Sequence, residues 1–148
     1  MLMLNVGDGA PDVEIEDHLG KKTKMSDFRG KTVVLYFYPR DNTPGCTTEA
    51  CSFRDELAGI KKLGAEIVGV STDSAQSHQG FIKKYGLNFT LLADKSREFS
   101  KAYGVLKFTG TAARATYIIG KDGRITHVFP KVSPSTHTKE IIAALKEY

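Results

Sequence analysis

Cysteine is scarce in this chain. Two in 148 residues are too few for a disulfide-stapled secreted scaffold, and a chain of this length buries roughly 70% of its unfolded surface without any staple. If the two thiols pair, the reason is chemistry. Long apolar runs are also missing: none approaches the roughly 20 residues a membrane helix needs, and the opening MLMLNVGDGAPD lacks a basic n-region and an apolar h-region. The expectation is a soluble, cytoplasmic protein that does not engage a membrane. Charge is not massed either. Twenty-one basic against 17 acidic side chains leave a net charge of +4, and the lysines are scattered or paired, as in Lys21-Lys22, Lys61-Lys62 and Lys83-Lys84. A nucleic-acid surface would be denser. Low-complexity tracts and Pro/Ser/Gly-rich linkers are absent, and 41% hydrophobic with 26% charged residues is ordinary globular composition. Disorder, collagen and repeat arrays are excluded, and residues 1–148 are expected to form one domain.

What is present reads as an α/β chain. Residues 32–38 (TVVLYFY) are β-branched, aromatic or leucine without alternation, the pattern of a central strand buried on both faces. A turn at Asn42, Thr43, Pro44 and Gly45 follows. Then Phe53, Leu57, Ile60 and Leu63 recur at helical spacing until Gly64 ends the pattern. Ala65–Ser71 is a second strand, and Phe81, Ile82 and Tyr85 mark a helix closed by Gly86. Strand, helix, strand requires a crossover and so a parallel pair. Farther on come a short strand at Leu91-Leu92, a short helix over 98–103, and two strands, Ala115–Ile119 and Ile125–Phe129, around Lys121-Asp122-Gly123. The Asp-Gly pair predicts a tight antiparallel hairpin. Ser133-Pro134 opens a last helix with Ile141, Ile142 and Leu145 on one face, while Val13, Ile15 and Thr23 suggest a small hairpin around Leu19-Gly20.

The stretch richest in chemistry runs from Tyr38 to Cys51 (YPRDNTPGCTTEAC), because it sets a thiol where a central strand ends and a helix begins. With Thr43 as N-cap and Pro44 at the first helical position, Cys46 falls in the first turn. Unpaired backbone N–H groups and the positive dipole end favour an anion there, so a thiolate is favoured. The position is also the carboxyl edge of a parallel sheet, where open α/β folds hold ligands. Against this stands the commonest fate of a free cysteine, a small buried hydrophobe, with Thr43-Pro44 as ordinary capping. Cys51 bears on the choice. In an unbroken helix its Cα would lie roughly 8 to 9 Å from that of Cys46 and on a different face, beyond disulfide reach. Either Cys51 is a packed bystander or the helix unwinds locally for the two to meet.

The sequence resembles the peroxiredoxins, thiol peroxidases on a thioredoxin-like fold with a central mixed β-sheet flanked by helices, and among them the peroxiredoxin Q or bacterioferritin-comigratory-protein branch. The family signature P-x-x-x-T/S-x-x-C is matched by Pro39, Thr43 and Cys46, and the longer branch pattern F-Y-P-x-x-x-T-P-G-C-T-x-E-x-C by residues 37–51. Gly7-Asp8-Gly9-Ala10-Pro11, Arg114 with the strand behind it, and Gly120-Lys121-Asp122-Gly123 match as well, whereas Val13 stands where an aromatic is frequent. The resemblance implies that Cys46 is the peroxidatic cysteine, that Thr43 and Arg114 are its hydrogen-bonding and electrostatic partners, and that Pro39 shields it. It further implies resolution of a sulfenic acid by Cys51, recycling by thioredoxin or a similar dithiol, no metal or organic cofactor, and a monomer or weak dimer. Physical chemistry agrees with the roles: a permanently charged guanidinium stabilises a thiolate and a developing oxyanion, and Thr43 with the Cys46 N–H can hold a peroxide in line with sulfur.

Other candidates are weaker. Asp41 and Glu49 could act as acid/base carboxylates, but Glu49, close to a helix start, more simply complements the dipole; it is given a supporting role. His18, His78, His127 and His137 have no metal-ligand spacing and read as solvated or core-satisfied. No phosphate loop is present, and Tyr36, Phe37 and Tyr38 are adjacent on a strand, not spaced as a stacking platform. Two rival functions remain: a one-cysteine peroxidase resolved by an outside thiol, and a non-enzymatic basic binding or holdase module.

Overall fold

The computed structural model describes residues 2–147. Its first strands, β1 (Ile15–Asp17) and β2 (Lys22–Thr23), form the expected small hairpin, Ile15 facing Thr23. A single turn of 3₁₀ helix at Met25–Phe28, which carries no clear signal in the sequence, leads to the central strand β3 (Thr32–Phe37). Then follow α1 (Pro44–Lys62), β4 (Ala65–Ser71), α2 (Ala75–Tyr85), β5 (Thr90–Ala93), α3 (Glu98–Ala102), β6 (Ala115–Ile119), β7 (Ile125–Phe129) and α4 (His137–Leu145). The strands make one mixed sheet in the order β2-β1-β5-β4-β3-β6-β7. The α1 crossover sets β3 and β4 parallel, and β6 returns antiparallel on the other side of β3.

The unbroken apolar run of β3 is explained by a core on each face. Val34, Tyr36 and Tyr38 pack with Phe53, Leu57 and Ile60 of α1, Phe81 of α2 and Ile141 of α4. Val33, Leu35 and Phe37 point the other way, to Phe99, Tyr103, Val105 and Tyr117. Helix ends obey local chemistry. Ser74 accepts the Ser77 N–H at the start of α2, and Gly86, at φ 62°, closes that helix in the left-handed region L side chains rarely adopt. Between β6 and β7, Lys121 and Asp122 lie in a turn closed by the Gly123 N–H on the Gly120 carbonyl (2.9 Å), with Gly123 at φ 83° and a bulge at Ile118/Ile119. The expected hairpin is present but wider than a two-residue turn, because the αL glycine and the bulge absorb an extra residue.

The register places the site. Phe37, the last residue of β3, faces Val70 of β4 and Ala115 of β6. The chain leaves the sheet just beyond, through residues 38–43, and enters α1; Arg114, one residue before Ala115, stands at the same sheet edge. A cleft of about 440 Å³ bounded by Thr32, Leu63, Ile118 and Leu145 lies at the opposite end of β3.

Candidate active site

Pro44 starts α1 with its fixed φ and no N–H to leave unpaired. Thr43 is the N-cap in its extended backbone (φ −83°, ψ 152°), and its carbonyl accepts the Thr47 N–H at 2.9 Å, the first bond of the helix. The Gly45 and Cys46 N–H groups therefore lack an intrahelical acceptor. The Thr43 side chain departs from the expected cap: its hydroxyl donates back to the Arg40 carbonyl (2.9 Å) and bonds no N–H of α1. That bond braces the loop and leaves the oxygen's lone pairs open. Pro39 is half-buried at the loop's start.

Cys46 is 1% exposed in the first turn, with its side chain against Arg114. The guanidinium is divided between two partners: Nη2 donates to Cys46 Sγ at 3.2 Å and Nη1 to Glu49 Oε1 at 2.9 Å. Gly45 leaves it room: a Cβ there would meet Arg114 Nη2 at 3.1 Å, and the guanidinium would have to give by a few tenths of an ångström. Burial works against the Arg114 cation, but the Cys46 sulfur and then the Glu49 carboxylate outweigh it and hold its pKa above the ordinary guanidinium value. Two positive sources thus converge on one sulfur, the guanidinium and the helix N-terminus. Positive potential from both favours negative charge at the point where they meet.

Glu49 does not serve the helix dipole as expected. It lies in the second turn of α1, 1% exposed, and its partner is Arg114. Its Oε2 is buried with no hydrogen-bond partner among the described residues. Burial pushes its pKa up to about 7, with Arg114 opposing. Cys51 is half-buried, and both thiols are free. Since α1 runs unbroken from Pro44 to Lys62, the two sulfurs start on different faces of one helix, roughly 8 to 9 Å apart at Cα.

The fold thus brings Arg114 into direct contact with both Cys46 and Glu49 and keeps Thr43 and Pro39 in the loop that leads to them, while Cys51 stays apart. A second buried cluster on the other side of this loop has no local signal in the sequence. Asp41, a weak acid/base candidate by sequence, bonds Tyr38, Ser77 and His78 at 2.6 to 2.8 Å. His78 and His137 are both fully buried and satisfied within the core.

Among the described residues no helix is long and apolar enough to cross a membrane. The profile of the AhpC/TSA family matches residues 6–128. The chain is 40% identical to the putative peroxiredoxin bcp of Coxiella burnetii, over 97% of this chain and all of that protein. With the chloroplastic peroxiredoxin Q of Sedum lineare it shares 43% identity over 95% of this chain and 77% of the relative. A crystal structure of a cysteine-to-serine mutant of Xylella fastidiosa PrxQ superposes with a TM-score of 0.93 at 31% identity, covering 99% of this chain and 98% of that one.

Proposed function

The chain belongs to the AhpC/TSA family, in its peroxiredoxin Q/Bcp branch, and is a thiol-dependent peroxidase; from that premise we propose that Cys46 is the attacking thiol, working within one domain over residues 1–148. The observation that carries this is the 3.2 Å bond from Arg114 to Cys46 Sγ in the first turn of α1. Sulfur attacks one peroxide oxygen, an S–O bond forms as the O–O bond breaks, and the leaving oxygen takes up a proton as water or alcohol. Arg114, freed in part from the sulfur, faces the charge that develops on oxygen. Thr43 and the Cys46 N–H hold the peroxide in line, and Pro39 covers the sulfur. Glu49 fixes the guanidinium from its other side.

The Cys46 sulfenic acid then condenses with the Cys51 thiol, releasing water and forming a disulfide, which thioredoxin or a similar dithiol reduces. Sulfur alone cycles through the oxidation states, so no cofactor is required. We place the reaction in the cytoplasm, in a monomer or weak dimer, with hydrogen peroxide and organic hydroperoxides as substrates. One feature favours the rival one-cysteine course: Cys51 lies in an intact helix, out of reach of Cys46. Intact-mass analysis after one equivalent of peroxide, with and without alkylation, decides between them. Loss of two hydrogens with no alkylatable thiol is expected. Gain of one oxygen with a remaining Cys51 thiol would replace the internal disulfide by an external thiol, and an unchanged mass would sink both.

A further inference from the structure

Asp41 and His78 are 37 residues apart in the chain, yet their side chains meet, fully enclosed, with Nδ1 of His78 2.7 Å from Asp41 Oδ2. The other ring nitrogen, Nε2, lies 2.8 Å from the Leu92 carbonyl oxygen. A carbonyl has no hydrogen to give, so Nε2 carries one. Nδ1 then faces a carboxyl oxygen, and a neutral imidazole opposite a bare carboxylate would bring two lone pairs together at 2.7 Å. The contact requires one proton between them, on Nδ1 as an imidazolium–carboxylate pair or on Oδ2 as an acid–imidazole pair. Either form is neutral as a unit, which is what full burial demands.

The surroundings complete the pair. The Tyr38 hydroxyl donates to Asp41 Oδ1 at 2.6 Å and the Ser77 hydroxyl to Oδ2 at 2.8 Å. Burial first, then Tyr36 and Asp41, keep the Tyr38 pKa well above the usual phenol value, so it remains a donor. The Asp41 backbone N–H is taken by Asp73 Oδ2 (2.8 Å), which also accepts the Ser71 hydroxyl (2.6 Å). Ligand atoms of Asp41, Asp73 and His78 come within 4.8 Å of one another, but each is already engaged in these bonds, the mark of a hydrogen-bond hub. Tyr38 directly follows β3, and the other partners sit on or beside β4, β5 and α2, while Asp41 lies farther along the loop feeding α1. Next to it Asn42 takes φ 64°, a left-handed turn that aims the chain at Thr43.

We propose that Asp41 and His78 share one buried proton and act as a positioning pair for the peroxidase reaction, a fixed hinge that holds the loop carrying Thr43 while the first turns of α1 unwind and re-form. The mechanistic half rests on Cys46 as the nucleophile; the proton-sharing half does not. Long-range ¹H–¹⁵N correlation of the histidine rings tests that half directly, in wild type and in Cys46→Ser. His78 is expected to show a protonated Nε2, with Nδ1 either protonated as imidazolium or accepting from the acid, and to keep that pattern after stoichiometric peroxide. A neutral Nδ1–H tautomer, or ring signals that become solvent-averaged on oxidation, overturns the pair or its role as a hinge. For the mechanistic half, Asp41→Ala should slow the peroxide step on the order of tenfold to a hundredfold through misplacement of Thr43. Asp41→Asn, whose amide can donate to His78 Nδ1 and accept from Tyr38, should recover most of that rate. A wild-type rate in Asp41→Ala, or no recovery in a folded Asp41→Asn, refutes the positioning role. Because Asp41→Asn and the ring measurement need no alanine variant, a misfolded Asp41→Ala still leaves both halves open to refutation.

Discussion

On one side of the loop into α1, Asp41 and His78 have every polar atom engaged; on the other, Arg114 and Glu49 leave Oε2 of Glu49 buried without a partner among the described residues. Both clusters hold a buried carboxyl against a nitrogen group, the enclosed His78 ring in one and the partly exposed Arg114 guanidinium in the other. They differ in completeness, and the difference matches what each side must do. A saturated network loses several bonds at once if its segment moves, so it stays put. An unpartnered buried carboxyl oxygen costs on the order of 1–3 kcal/mol, a cost that opening of the helix start would relieve. The side next to Cys46 is thus the one that the proposed unwinding would relieve, and the opposite side is the proposed hinge.

The sharpest way to break this division is at the sulfur. Cys46→Ser should abolish peroxide consumption, because a hydroxyl is far less ionised and less nucleophilic than a thiolate at a helix N-terminus. Turnover by a stopped-flow peroxide assay in that variant would move the chemistry elsewhere. Next in size, Arg114→Ala or Thr43→Val should leave the fold intact by circular dichroism and slow the peroxide step about a hundredfold or more, the usual cost of a lost oxyanion-type donor. A rate constant within roughly twofold of wild type would take that residue out of the site.

How far the sequence reaches follows the same line between local and distant. Cys46, Thr43 and Pro44 are legible because cap, first turn and thiol lie within a few residues, and the strand run before them carries its burial in composition. Arg114 is 68 residues from Cys46; only the resemblance to a known family points to it, since the segment entering one strand and the helix leaving its neighbour share no spacing rule. Asp41 with His78 is not legible at all. Each residue looks ordinary alone, and the β3–β4 register and the α2 crossover bring them together. Glu49 misleads for a related reason: counting along the helix suggests a dipole partner, while the true partner comes from the segment entering β6. Gly45 reads as a turn glycine, yet a Cβ there would also crowd the Arg114 guanidinium.

A third test concerns motion on the unsaturated side. A disulfide needs Cα atoms within about 7 Å, and the intact helix holds Cys46 and Cys51 farther apart, so the proposed Cys46–Cys51 disulfide requires the first turns of α1 to unwind. The bonds lost lie at a helix end where water can replace them, so the opening is local. Amide exchange should be faster in the oxidised protein across 46–53, with 33–37 and the Asp41 amide still protected. Cys51→Ser should block the change by stopping at the sulfenic acid. Equal protection of 46–53 in a verified disulfide form would refute unwinding, and a newly exposed Asp41 amide would erase the contrast between the two clusters.

The smallest effect is in pH dependence, and it isolates Glu49. Its pKa stands at about 7 in the folded protein against 4.5 for the ordinary carboxyl, because burial favours the neutral form more than Arg114 favours the charged one. The folded state therefore binds the proton more tightly than the unfolded chain. The associated stability is fully present below about pH 4.5 and is lost as pH rises through about 7. At roughly 1.4 kcal/mol per pKa unit, a rise from 4.5 to about 7 sets a ceiling of about 3.5 kcal/mol on the loss, reduced by whatever burial the unfolded chain retains. Glu49→Gln keeps an oxygen for Arg114 but has no proton to lose, so its stability should follow pH less steeply over that interval. Urea unfolding of both proteins at several values between about pH 5 and 8 reads this out. The wild type is expected to lose stability relative to Glu49→Gln as the pH rises; parallel curves would mean that Glu49 is already ionised against Arg114, and the asymmetry between the two clusters would have to rest on geometry alone.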